Sequence, residues 1–404
     1  MRLKSSSRTR LQSSWVFGTL VLSLFTSTVA GDCECGYSIV SKTDGERYVF
    51  ADLLETDFIH VDITGDGEGQ ASHGWVPQGF NMSNVTAQGP YGIDYAVGNV
   101  MSNTISDPNV FTGPSVVGSD AGLRLVVQSH IMDGLVPAAQ VATIEEDYFY
   151  GTFRAGIKIT DVPGTCSAFF WFQNNTQEID MEFLSSEFNK SSNTFPVNLV
   201  LQSKAAADGN STGSHAIINL PFDPTTDFHE YRFDYLQNTV SFLADGVLLA
   251  NLTGDGVPKT AGNILLSHWS NGNQGWSRGP PTADAVTTVS YVKAYFNSSS
   301  PQSHASFTQQ CIDPAAPGAV CLVPDNNATF FFTEGSGDTN QTSGGGNGGT
   351  EGDGNGGTEG GGNGGTEGGG SGSGEEGNAS LLVSPSYSST WLTWLVGIFV
   401  YASL

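Results

Sequence analysis

Over residues 37–296 the chain runs as short apolar or alternating stretches, broken every few positions by Gly, Pro, Asn or Asp. Runs of this length, rich in Val, Ile, Phe and Tyr and bounded by turn formers, predict β-strands. The pattern predicts strands at 124–128, 150–159, 168–172, 178–184, 198–202 and 215–219, then at 230–235, 240–243, 247–252 and 286–296. Helical periodicity is scarce, and only residues 51–58 predict a turn or two of helix. Pro221 and Pro224 interrupt the strand pattern before residue 227. Many short strands without strand–helix alternation predict an all-β, two-sheet sandwich.

One predicted strand differs from the rest in what its polar face carries. In Glu178-Ile179-Asp180-Met181-Glu182-Phe183 the two-residue period puts Glu178, Asp180 and Glu182 on one side and Ile179, Met181 and Phe183 on the other. The outer Cα atoms are then roughly 13 Å apart, at about 3.3 Å per residue. Two Glu side chains leaning toward a ligand between them reach the carboxyl separation of about 5–5.5 Å that retaining glycosidases use. An acidic face on a half-buried strand is commonplace, but adjacent like charges cost energy and are tolerated where catalysis or cation binding needs them. The preceding run, 167–173, is a strand joined by a polar turn, and as a hairpin it brings Trp171, Phe169 or their alternates beside the carboxylates.

The string EIDMEFL of this chain, preceded by AFFWF, resembles the active-site hairpin of glycoside hydrolase family 16. The resemblance extends to Asp227-Phe228-His229-Glu230-Tyr231-Arg232-Phe233-Asp234-Tyr235, to Ala244-Asp245-Gly246 and to the closing run 289–296. No extra residue separates Asp180 from Glu182, as in the unbulged branch of that family. The resemblance implies a β-jelly roll whose concave sheet carries the cleft, with β-glucan as substrate and no cofactor. It also implies Glu178 as nucleophile, Glu182 as general acid and then base, and Asp180 between them as a tuning group. A transglycosylase using the same residues is the nearest alternative. A noncatalytic glucan-binding lectin on the same sandwich has no use for all three acids.

Further candidates come from the Gly-rich run 268–281, where Trp269 and Trp276 could stack on sugar rings and Asn271 and Gln274 could reach hydroxyls. Trp75 and Tyr91 are candidates for distant subsites. His229 alternates with Tyr231 and Phe233, which favours a structural role. No histidine set forms a metal site. The run from Asp62 echoes a calcium loop, but His73 stands where a bidentate Glu is needed, so no metal is expected.

The ends of the chain extend this picture to the cell surface. Residues 1–30 have a basic start (Arg2, Lys4, Arg8, Arg10), an apolar stretch and a small-residue cleavage site, the pattern of a secretory signal. Residues 31–300 form the catalytic domain, 301–334 a Cys-containing extension, and 335–377 a Gly-rich stalk with an eight-residue repeat from Asn347. Such a stalk cannot build a core and spans roughly 35–40 Å root-mean-square. Residues 378–404 order small residues, a polar spacer and an apolar tail, the signature of a GPI-attachment signal with Asn378 as acceptor. Without the leader the chain carries 40 acidic against 11 basic residues, about −29, which disfavours nucleic acid and anionic lipid but is indifferent to neutral polysaccharide. A monomer attached to membrane only through lipid is expected.

Sequons at Asn81, Asn84, Asn174, Asn189, Asn210, Asn251, Asn297, Asn327 and Asn340 are candidate glycosylation sites. Five cysteines leave one over after pairing; joining Cys33 and Cys35 to Cys311 and Cys321 is the arrangement that would staple the two ends of the domain, with Cys166 a buried thiol.

Overall fold

A computed structural model describes residues 33–64, 70–204 and 214–335. The expected leader, the stalk beyond residue 335, the lipid-attachment signal with Asn378, the sequons Asn210 and Asn340, and residues 65–69 of the calcium-like run lie outside the described residues.

In chain order the strands are β1 (Tyr37–Val40), β2 (Arg47–Phe50), β3 (Asp52–Asp57), β4 (Trp75–Pro77), β5 (Phe80–Met82), β6 (Gly92–Tyr95), β7 (Val100–Asn103), β8 (Gly122–Val127), β9 (Leu135–Thr143) and β10 (Tyr148–Lys158). They continue with β11 (Cys166–Asn174), β12 (Gln177–Leu184), β13 (Pro196–Ser203), β14 (His215–Asn219), β15 (His229–Leu236), β16 (Thr239–Ala244), β17 (Val247–Thr253), β18 (Asn263–Trp269), β19 (Ala285–Ser298) and β20 (Cys321–Leu322). Helix α1 (Pro301–Gln310) comes after the last long strand, with Pro at its first turn where the missing N–H costs nothing, and a single turn, α2 (Phe332–Gly335), ends the described chain.

Two sheets stack face to face. The front sheet runs β14-β13-β12-β11-β18-β9-β6-β5, with β4 also on β9. The back sheet runs β17-β16-β15-β10-β19-β8-β7, with β3 pairing the later half of β19. Every strand predicted from the sequence is present.

Alternation explains which faces meet. On β12 Ile179, Met181 and Phe183 are fully buried, and on β15 so are Tyr231, Phe233 and Tyr235. The rings interlock, with Phe169 against Phe233 at 5.0 Å between centroids and Phe183 against Tyr231 at 4.6 Å. Burying each such side chain contributes about 1.5–3 kcal/mol.

The predicted helix at 51–58 is instead strand β3, in register with Phe296 to Tyr291. Helix propensity in so short a run is worth little against a full ladder of pairing along β19. Short strands such as β4, β5 and β6, and the alanine-rich β9, carry little β-branched signal and escaped the pattern.

Disulfides Cys33–Cys321 and Cys35–Cys311 join the two ends of the described chain, and Cys166 is free and buried. The segment after α1 lies on the back sheet, where Arg154 donates to Pro324 O, Arg232 to Asp325, and Lys293 to the carbonyls of Asn327 and Phe330. Three buried cations on neighbouring strands thus find acceptors in residues 324–330.

Candidate active site

Strands β11 and β12 form the predicted hairpin, and their register decides what surrounds the acids. Phe172 lies opposite Glu178, Phe170 opposite Asp180 and Ala168 opposite Glu182. On the other flank Gln202, Val200 and Asn198 of β13 stand opposite the same three residues. Because side chains directly across a ladder share a face, Phe170 and Phe172 flank the carboxylates on one side and Asn198 and Gln202 on the other. Beyond β11, Leu265 pairs with Phe170 and extends an apolar floor toward Ala142.

The carboxylates are almost withdrawn from water, at 1% exposure for Glu178 and 2% for Asp180 and Glu182. Burial therefore dominates their proton affinity and raises all three. Glu178 and Asp180 titrate as a pair. A hydrogen bond from Asp180 favours the ionised form of Glu178, while burial, then the charge of Glu178 and the same bond, drive Asp180 well above the carboxylate range. Burial still pushes Glu178 up to about 8, so of the pair Asp180 holds its proton the more tightly and Glu178 is the one that ionises first. Glu182 is pushed up to about 8 by burial and then by Asp180, against the opposing effect of the Cys166 thiol and the Trp276 indole N–H. Glu178 Oε1, Asp180 Oδ2 and Asn198 Nδ2 are buried with no hydrogen-bond partner among the described residues, so polar capacity is left for a bound hydroxylated ligand.

The other predicted site residues divide. Trp276 stays, half-buried beside Glu182. Trp171 does not: it alternates to the core face, fully buried, and donates its indole N–H to Tyr148 O. Trp269 ends strand β18 rather than sitting in a loop, and at 1% exposure it packs with Cys166 and Leu184 and offers no open face for stacking. Asn271 is fully buried and holds its own loop, donating to Ala87 O and accepting from Ser277 Oγ and the Asn273 N–H. Gln274 is exposed and bonds Gly272 O. Trp75 is a core residue bonded to Thr56 Oγ1, and Tyr91 packs against the cluster around Val127 and Val136. His229 stacks on Phe222 at 3.5 Å and contacts Asp245 at 2.7 Å, the structural role its alternation indicated.

Cys166 and Asn198 were missed. Their signal was available only as pairing: Asn198 lies directly across from Glu182, and the Cys166 Sγ is 3.4 Å from Glu182 Oε1. A separate cavity of about 220 Å³ lies against β3, lined by Glu55, Asp57 and His73 among others, and none of the three carboxylates borders it. Among the sequons, Asn81, Asn84, Asn189, Asn251 and Asn327 are exposed, whereas Asn174 is half-buried and Asn297 accepts the Ala51 N–H. Among the described residues no group of three or more His, Cys, Asp or Glu could hold a metal ion.

Known proteins resemble this chain over its central part. The model of the family described as glycosyl hydrolases family 16 matches residues 109–292, which include the trio, Cys166 and Trp276. A β-glucanase of Paenibacillus polymyxa is 33% identical over 129 residues, covering 31% of this chain and 49% of that protein. One from Acetivibrio thermocellus is 27% identical over 212 residues, covering 50% and 58%. The chain thus spans about half the length of the curated relatives it matches. A solved β-1,3-1,4-glucanase (lichenase) from a mouse hindgut metagenome aligns with a TM-score of 0.43 at 20% identity, covering 60% of this chain and 98% of that one.

Proposed function

We infer that the family 16 glycoside hydrolase domain carried by this chain is a retaining endo-β-glucanase acting on β-1,3- or mixed β-1,3/1,4-glucan. The observation that carries the reading is a single strand face on which three carboxylates lie side by side, buried and with raised proton affinity. Glu178 in its ionised form, which a hydrogen bond from Asp180 favours, attacks the anomeric carbon and forms the glycosyl-enzyme. Glu182, which burial keeps protonated at neutral pH, gives its proton to the departing glycosidic oxygen and later takes one from the incoming water. The apolar floor of Phe170, Phe172 and Leu265 suits the carbon faces of pyranose rings, and Asn198 and Gln202 suit their hydroxyls. The curated relatives' description as β-glucanases supports the substrate class.

The same reading places the enzyme outside the cell, tethered by a GPI lipid. The basic-then-apolar start, the C-terminal pattern around Asn378, and two disulfides that need an oxidising compartment support it.

Glu178→Gln tests the mechanism. Turnover of laminarin and lichenan should fall by more than about 10³-fold with the fold and glucan binding intact, and near-wild-type turnover would refute the assignment. A labelled oligosaccharide in the same digest reads the reaction's acceptor: longer labelled products mean transfer to sugar, and unextended label means hydrolysis.

A further inference from the structure

Cys166 opens strand β11 with its side chain fully buried, and it does not belong to the carboxylate trio. It pairs across the ladder with Leu184, one step along the same face from Glu182. Its Sγ lies 3.4 Å from Glu182 Oε1, within range of a thiol hydrogen bond. The other acceptor near it, Ser167 O, is farther at 3.9 Å. Burial pushes the thiol's proton affinity up, as does Glu182, so Cys166 keeps its hydrogen and donates it. We propose that Cys166 is a positioning residue for the acid/base Glu182: its S–H occupies Oε1, holds the carboxyl plane, and leaves the other oxygen to carry the proton that goes to the substrate.

The proposal rests on Glu182 being the acid/base, and it assigns the thiol no covalent step. Other groups facing Glu182 are Asp180 and Glu178 on its own strand, Tyr95 of β6, and the Trp276 indole from the loop after β18. Of these, Asp180 and Glu178 favour the protonated acid when charged, Tyr95 stays neutral through burial, and Trp276 acts in the same sense as Cys166. Removing the thiol donor therefore leaves Glu182 more basic. It should also let the carboxyl group rotate.

The test compares the wild-type full chain with Cys166→Ala, Cys166→Val and Cys166→Ser in the glucan assay across pH. Val fills the Sγ volume without a donor, so it carries the test should Ala fail to fold; Ser restores a donor. The donorless variants should lose about three- to tenfold in kcat with KM within about twofold, as expected when a general acid is misplaced rather than removed. The basic limb of their pH profile should move up by about one pH unit, the size of one weak hydrogen bond to a charged group. Ser should return most of both effects. A merely structural cysteine would change melting temperature and leave the pH profile unmoved, and that result would overturn the proposal while the glucanase reading stood. A wild-type protein that cleaves no glucan would overturn both.

Discussion

Keeping Glu182 protonated at neutral pH has a measurable cost, and Glu182→Gln exposes it. The folded protein holds this proton up to about pH 8, against an ordinary value of 4.5. Between those values the folded state binds more protons than the unfolded chain, so stability falls as pH rises across the window and levels off above it. At 1.36 kcal/mol per unit, Glu182 removes about 1 kcal/mol at pH 5.5 and about 4 kcal/mol at pH 8. These figures are a ceiling, because water entry and side-chain relaxation soften the penalty. Gln keeps the shape and the acceptor that Cys166 and Trp276 address, but carries no charge at any pH. The variant should therefore be more stable than wild type in urea titrations, by about 1 kcal/mol at pH 5.5 and by up to about 4 kcal/mol at pH 8. It should also have lost glucan turnover. A stability difference that stays the same at both pH values would refute the argument that burial controls this carboxyl group.

The two disulfides close nearly the same long loop, so their losses should not simply add. Removing Cys35–Cys311 alone leaves Cys33–Cys321 in place and frees only a short ring, for about 3 kcal/mol, whereas removing both should cost about twice that or more in urea unfolding. Gly279→Ala would set a Cβ 2.1 Å from Gly164 O and 2.3 Å from Ser270 Oγ, forcing the Trp276 loop away from the turn that leads into Cys166. About 2–3 kcal/mol of destabilisation and a matching fall in glucan turnover are expected, read by thermal melts and the same digest.

The carboxylate trio was legible because its geometry is local. A strand repeats every two residues whatever it pairs with, so Glu178, Asp180 and Glu182 had to share a face once 178–184 was a strand. Sandwich architecture was legible for a related reason, since apolar alternation between turn residues leaves few other ways to bury one face. Parity across strands was not. Trp171 and Phe170 look equally suited to a sugar cleft, and only the hairpin register, Phe170 opposite Asp180, sends the phenylalanine to the site and the tryptophan to the core. Trp269 and Asn271 sit among glycines and read as a binding loop, yet pairing with β11 draws 263–269 into the sheet and leaves Asn271 to brace the loop from within.

Residues 51–58 show the same limit from the other side, because their helical preference is small beside a ladder of hydrogen bonds to β19. The linear chain determined the features that neighbours two residues apart dictate: strand periodicity, the acidic face, the apolar back. Tertiary structure alone decided which strands lie side by side, and with that the thiol beside Glu182, the phenylalanine floor and which cysteine of one end pairs with which of the other. Those contacts join residues far apart in sequence, and their register depends on the packing of the whole sandwich, which no short stretch encodes.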